Sequence, residues 1–211
     1  MQATNCITGS CMKIHHAIFI HGKDNKLAVR HTLDVQSLGP RMEHYLYYGL
    51  DETPCLDWGP GDWRISLGVH GSRDNMALKV YGLMKHALTI PGWTHLFKTD
   101  VNTIINKVDW EAVEKADYAG LVVKGPAERT YKNEEREPLL REPYLGPMAK
   151  LWCGGSGYFV SRRLAQMVVD RGAWAARGHY AEDQMVAMIA EENGIVPVPA
   201  VAYGQYERFT T

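Results

Sequence analysis

Apolar and polar positions along this sequence form short blocks that alternate between two periodicities. Runs rich in aromatic and β-branched residues predict strands at 14–20, 44–49, 93–97, 118–123 and 195–198, and a further strand that begins after the glycines at 154–157. Apolar stripes with helical spacing predict helices over 27–35, 75–88 and 110–115, from Ser161 to near Gly172, and from Tyr180 to Gly194. Because strands and helices follow one another in turn, the pattern predicts an α/β layer sandwich with a mostly parallel central sheet.

Three other stretches lack a sustained apolar period. Residues 1–12 are polar and read as a loosely held leader, which leaves 13–211 as a single domain. Residues 51–64 combine prolines and glycines with Trp58 and Trp63, and this composition predicts a loop. Residues 124–148 carry mixed charges and prolines, so we expect a solvated excursion or a lid there.

Composition narrows the class of protein. The 211 residues are 45% hydrophobic and 22% charged, with a formal net charge of -1, which is typical of one globular domain. This charge does not favour a broad basic face for nucleic acid. The four cysteines at positions 6, 11, 55 and 153 suggest no disulfide framework, and no apolar stretch is long enough to cross a membrane. We therefore expect a cytoplasmic protein with reduced thiols and no membrane partner.

Candidate chemistry begins where the predicted strand at 93–97 runs into Asp100 and Asn102. Ligands bind at the carboxyl ends of strands in open α/β sheets, and two oxygen-bearing side chains there can hold a hard divalent cation against a diphosphate. The simpler reading is that both residues only turn the chain. His21 and Gly22 follow the first predicted strand in the same way, and Lys79 lies off the apolar stripe of its helix, free to point elsewhere.

Two further segments carry candidate functional residues. Gly154, Gly155, Ser156 and Gly157 precede an apolar strand, and such glycines let the backbone approach a ligand closely, although they could also form only a tight turn. The pair Glu182 and Asp183 opens a helix, where carboxylates also suit the helix dipole.

Taken in order, these segments resemble a known family. Lys-Thr-Asp-x-Asn-Thr, then Cys-Gly-Gly-Ser-Gly-Tyr-x-Val-Ser-Arg, then Glu-Asp resemble motifs of the β-1,3-galactosyltransferase and Fringe family of inverting glycosyltransferases. The segment 75–79, Asn-Met-Ala-Leu-Lys, is similar to the family's Asn-Leu-Thr-Leu-Lys helix. The resemblance covers about residues 70–195 and implies a single-domain, Rossmann-like GT-A fold.

The resemblance also implies a reaction. It predicts transfer of a sugar from a nucleotide-sugar donor such as a UDP-sugar, with Asp183 as the general base and Glu182 beside it. A divalent cation, Mn²⁺ or Mg²⁺, would lie at Asp100 and Asn102. In the family the third position of this motif is acidic, so Asn102 predicts weaker cation binding. The residues expected to contact the donor are His21, Gly22, Lys79, Lys98, Asp100, Gly154, Gly155 and Ser156.

The sequence leaves alternatives open. Two acceptors are compatible with the resemblance, a glycan and a hydroxymethylated base in DNA, and the near-neutral charge argues mildly against the latter. A catalytically silent sugar-nucleotide-binding module and a nucleotidyltransferase are competing readings. The donor sugar and the oligomeric state are not predicted.

Overall fold

A computed structural model shows an α/β fold and describes residues 12–19, 42–49, 63–69, 76–100, 103–124, 149–172 and 181–203. The strands are β1 (Ile14–Phe19), β2 (Met42–Tyr48), β3 (Trp63–Ser66), β4 (His95–Asp100), β5 (Ile105–Val108), β6 (Tyr118–Lys124), β7 (Leu151–Ser161), β8 (Val198–Pro199) and β9 (Val201–Tyr203). The helices are α1 (Met76–Thr89), α2 (Trp110–Lys115), α3 (Arg162–Arg171) and α4 (Glu182–Glu192).

Seven strands form one mixed sheet in the order β3-β2-β1-β4-β7-β6-β8. β1 pairs in parallel with both β2 and β4, whereas β7 is antiparallel to both of its neighbours, β4 and β6. The α/β class and the mostly parallel sheet are therefore confirmed. The order of the strands reverses between β1 and β4, which is where open α/β sheets bind ligands.

Both faces of the central sheet are covered. The larger apolar cluster lies between one face and helices α1, α3 and α4, and the smaller cluster lies on the other face near α2 and the β5–β9 pair. His15 and His16 show the alternation across β1: His15 stacks on Tyr45 on the first face, and His16 stacks on Phe97 on the second.

The helix ends follow local sequence signals. The Asp109 side chain accepts a hydrogen bond from Ala112 N at the start of α2, and Ser161 Oγ accepts one from Leu164 N at the start of α3. Gly172 ends α3 with φ 83°, a conformation that favours glycine. These three predicted helix ends are confirmed.

Several sequence predictions are wrong in detail. Residues 63–66 form a strand that pairs with β2, although the proline- and glycine-rich composition predicted a loop through residue 64. The strand predicted at 195–198 begins only at Val198, and β5 and β9 were not predicted. Lys79 does not point away from the core: it is fully buried with the apolar face of α1. Its long methylene stem packs as an apolar group would, which a charge-based reading overlooks.

Other predictions fall outside the described residues. They are the leader up to residue 11, the helix at 27–35, most of the loop at 51–64, the excursion from 125 to 148, and the site residues His21, Gly22 and Asn102. Within the described part of the chain, no helix has the length and apolar character needed to cross a membrane.

Candidate functional site

The candidate site lies at the carboxyl ends of β1 and β4. Phe19 and Asp100, the last residues of these two parallel strands, are paired in register. The Asp100 side chain is 22% exposed, whereas Lys98, two residues earlier on the same face of β4, is fully buried. The end of β4 therefore places one accessible carboxylate at the point where the strand order reverses.

Lys98 joins two carboxylates from different elements. Its Nζ donates to Oδ1 of Asp100 at 2.7 Å and to Oε1 of Glu182, the first residue of α4, at 2.9 Å. Burial by itself lowers the pKa of Lys98, but Asp100 and Glu182 together outweigh burial and raise this pKa above its ordinary value. Lys98 is therefore a permanent positive charge between two negative ones.

Aromatic rings surround this ion pair. The Lys98 ammonium group lies 5.4 Å from the ring centroid of Phe19 and 5.7 Å from that of Tyr158. The Lys79 ammonium group lies 5.5 Å from the Phe19 centroid, so both lysines reach the same aromatic side chain. Sequence reasoning missed Phe19 and Tyr158 because both read as ordinary core residues of strands.

The glycine-rich segment forms a bulge in β7. Gly120 pairs with Tyr158 and Val122 pairs with Cys153, so the single residue Leu121 on β6 stands opposite four residues, 154–157, on β7. Bulges of this kind bend a strand and commonly lie beside functional sites. Because Thr99 pairs with Gly157, the bulge, which includes Gly154, Gly155 and Ser156, lies directly beside the end of β4.

The two carboxylates at the start of α4 have different but overlapping surroundings. Glu182 reaches Lys98 and also acts on the buried hydroxyl of Tyr158. Asp183 is 3% exposed and acts on the buried groups of Tyr118, Cys153 and Tyr158. Burial raises the pKa of the Cys153 thiol to about 12, and the Asp183 carboxylate adds to this rise. Asp183 therefore lies close enough to Cys153 and Tyr158, the residues on either side of the glycine-rich bulge, to raise the pKa of each.

The residue before α4 does not cap the helix with its side chain. Ala181 occupies the N-cap position and makes no capping hydrogen bond. The Oδ1 atom of Asp183 accepts a bond from the next backbone N–H, that of Gln184, at 2.8 Å. Glu182 is not a cap, because its carboxylate is used by Lys98 in the sheet.

The structure thus brings most predicted site residues to one region. Asp100, Lys98, Glu182 and the bulge meet at the end of β4, Asp183 is buried next to Glu182 in the first turn of α4, and Lys79 lies beside Phe19. His21, Gly22 and Asn102 lie outside the described residues. For Gly155 and Ser156 only the backbone is described. Tyr158 adds a buried hydroxyl that has no hydrogen-bond partner within the described part of the chain.

A divalent cation such as Mg²⁺ or Mn²⁺ needs several oxygen ligands. Among the described residues, no group of three or more histidine, cysteine, aspartate or glutamate side chains could hold a metal ion. Asp100 is a single carboxylate that already accepts from Lys98. A divalent cation at this position would therefore take one carboxylate ligand from the described residues, Asp100, and would need a diphosphate to supply most of its other oxygen ligands.

No protein-family model matches this sequence, and a comparison with curated proteins also found no match. A functional assignment therefore depends on the geometry of the site and on the motif resemblance.

Proposed function

We propose that this protein is an inverting glycosyltransferase that moves a sugar from a nucleotide-sugar donor, with UDP-sugars as the first donors to test. One observation carries the proposal: three segments that resemble the family's motifs, and that are far apart in the sequence, meet at the carboxyl end of β4. Asp100, the bulge at 154–157 and the acidic pair Glu182–Asp183 come together through the register of β4 with β7 and through Lys98.

In the proposed reaction, an acceptor hydroxyl attacks the anomeric carbon of the donor sugar from the face opposite the diphosphate. The new carbon–oxygen bond forms as the bond to the diphosphate breaks, and the nucleoside diphosphate leaves with the electron pair. Asp183 takes the proton of the acceptor hydroxyl as general base. The effect of Asp183 on Cys153 and Tyr158, which flank the glycine-rich bulge, supports this role, because the bulge would bring both substrates close to it.

The other residues bind and orient the substrates. Glycines in the bulge, Gly154 and Gly155, let a substrate approach the backbone, and the Lys79 and Lys98 charges offset part of the acidic character of the site. Asp100 and Asn102 are the proposed ligands for Mn²⁺ or Mg²⁺. Such a cation, when bound, supplies positive charge that stabilises the departing diphosphate. Glu182 is a positioning residue in this proposal, because its carboxylate holds Lys98.

The test is to incubate the protein with a panel of UDP- and GDP-sugars, with and without Mn²⁺, and to identify the phosphate product. Donors are first ranked by how far they raise the melting temperature. The acceptor arms are simple glycans and duplex DNA containing a hydroxymethylated base. We expect acceptor-dependent release of nucleoside diphosphate.

Each other outcome identifies a competing function. Release of pyrophosphate would indicate a nucleotidyltransferase. A raised melting temperature without any product, across both acceptor arms, would indicate a sugar-nucleotide-binding module. The acceptor arm that supports release decides between glycan and modified DNA.

A further inference from the structure

Lys98 holds a carboxylate that the proposed function assigns to a divalent cation. Its Nζ lies 2.7 Å from Oδ1 of Asp100 and 2.9 Å from Oε1 of Glu182, and its side chain is completely buried. An ammonium group therefore already occupies part of the space around Asp100 in which a cation would bind.

The Lys98 ammonium group and a divalent cation at Asp100 would repel each other and would share one carboxylate. A buried charge is stable only while it remains paired, so Lys98 keeps its carboxylates close. As long as Lys98 is bonded to Asp100, it cancels most of the attraction that this carboxylate exerts on a second cation. A divalent ion arriving alone also meets repulsion from the ammonium group. A bound diphosphate changes the balance, because it brings its own negative oxygens to the ion.

We propose that Lys98 competes with the divalent cation for Asp100 and thereby makes cation binding depend on the nucleotide. This inference rests on the proposed function, because it takes Asp100 as a cation ligand. When cation and diphosphate bind together, Lys98 gives up Asp100 and keeps Glu182. Lys98 is thus a positioning residue, which holds the start of α4 against the sheet in both states.

The test is a Mn²⁺ titration of the full chain by calorimetry, with and without UDP. In Lys98→Met the ammonium group is lost and the apolar stem is kept. We expect Mn²⁺ to bind about tenfold to a hundredfold more tightly than to the wild type without nucleotide, the range by which a nearby charge shifts a carboxylate equilibrium. With UDP present the gain should be smaller. General damage to the site would weaken binding instead.

Lys79→Met is the matched control. Its ammonium group is also buried and lies at a similar distance from Phe19, 5.5 Å against 5.4 Å for Lys98. Because the Asp100 carboxylate accepts from Lys98, the control should change nucleotide-free Mn²⁺ affinity several-fold less than Lys98→Met does. Equal effects of the two variants would show that total charge, and not competition for Asp100, sets the affinity.

Two further measurements cover the case in which Lys98→Met does not fold. The double variant Lys98→Met/Glu182→Gln also removes the Glu182 charge that would otherwise stay buried, and it should show the same tightening. Crystal structures of the wild type with and without UDP and Mn²⁺ should show the 2.7 Å contact of Lys98 with Asp100 opening while the Glu182 contact remains. An intact contact to Asp100 with the cation bound there would overturn the inference, as would unchanged Mn²⁺ affinity in a folded variant.

The titration separates this inference from the proposed function. It requires no sugar transfer, so tighter Mn²⁺ binding by Lys98→Met together with no product from any nucleotide sugar would refute only the transferase. Normal transfer by the wild type with unchanged Mn²⁺ affinity in Lys98→Met would refute only the competition.

Discussion

Two glycines beside the bulge in β7 have different surroundings. A Cβ atom on Gly120 would lie 2.9 Å from Cys153 Cβ, which is closer than such atoms approach in proteins, and 3.2 Å from Tyr158 Cβ, which is tighter than an ordinary contact. A Cβ atom on Gly154 would come no nearer than 3.9 Å to Leu121 O and Val123 Cγ2, an ordinary contact distance. Packing therefore favours glycine at 120 but leaves room for a side chain at 154, where the proposed donor is the reason to test a substitution.

This difference yields a paired prediction. Gly120→Ala should lower the free energy of unfolding by about 1–3 kcal/mol, as overpacking does, measured by urea denaturation. Gly154→Ala should leave stability within about 0.5 kcal/mol of the wild type but weaken donor binding in calorimetry. If Gly154→Ala binds UDP-sugars as tightly as the wild type, the bulge does not approach the donor at this residue.

His15 gives the fold a dependence on pH. It is buried beneath α1, where its Nε2 shares a hydrogen bond with Tyr47 OH at 2.9 Å. Burial, with a smaller effect of His86, lowers the pKa of His15 from 6.5 to about 3. The unfolded chain therefore binds a proton at His15 between these two pH values and the folded chain does not.

Because the pKa of His15 is lower in the folded chain, a fall in pH favours the unfolded chain. Stability from His15 is fully present above pH 6.5 and is lost as the pH falls toward 3. His15→Gln should therefore reduce the fall in unfolding free energy between pH 6 and pH 4.5 by at most about 1.4 kcal/mol per pH unit. His95→Gln is the comparison, and its effect on the slope should be smaller, because burial lowers the His95 pKa but the Ala116 carbonyl opposes that change. An unchanged slope in His15→Gln would contradict this account.

At the scale of whole elements, Arg162 at the start of α3 connects this helix to the end of α1 by hydrogen bonds. Its guanidinium donates to the carbonyl of Ile90 at 2.9 Å and to that of Leu88 at 2.7 Å. The same group lies 4.8 Å from the ring centroid of Trp93. The last carbonyls of a helix have no partners within the helix, so an arginine there replaces water as their donor.

We predict that Arg162→Met lowers the free energy of unfolding by about 1.5–3 kcal/mol, the usual worth of hydrogen bonds to a charged group. Its neighbour provides the control, since Arg163 is 63% exposed and makes one ion pair, with Asp117. Arg163→Met should change stability by less than about 1 kcal/mol, as is typical of surface pairs. Equal losses in urea denaturation would mean that Arg162 does not fasten α1.

Local signals made some elements predictable from the sequence. The Asp109 and Ser161 caps and the apolar stripe of α1 depend on neighbours within a few positions, and all three are confirmed. β3 depends on a partner far away in the chain. Its pairing with β2 overrides the glycines and prolines that precede it, and no local pattern records that pairing.

For the whole molecule, the site depends on contacts between distant segments. Lys98 and Glu182 are 84 positions apart in the chain. The sequence indicated each motif, and with it Asp100, the glycine-rich segment and the acidic pair. It could not predict that Lys98 would bridge two of these motifs or that Lys79 would be buried, because both depend on how α1 and α4 pack on the sheet.

The different surroundings of the two acidic side chains follow from the same packing. Glu182 and Asp183 are adjacent, yet one carboxylate bonds to Lys98 in the sheet and the other is buried near Cys153. An exchange of acid for amide at each position therefore tests the proposed positioning and proton-transfer roles separately, with nearly no change in shape.

The most direct test of the proposed transferase is the rate of acceptor-dependent nucleoside diphosphate release by Asp183→Asn, with Glu182→Gln measured beside it. Removing a general base costs on the order of a hundred- to ten-thousand-fold in rate. We predict a loss of this size in Asp183→Asn with donor binding retained in calorimetry, and a smaller loss in Glu182→Gln. Near-normal release by Asp183→Asn with a large loss in Glu182→Gln would reverse the two roles, and normal release by both variants would contradict the mechanism.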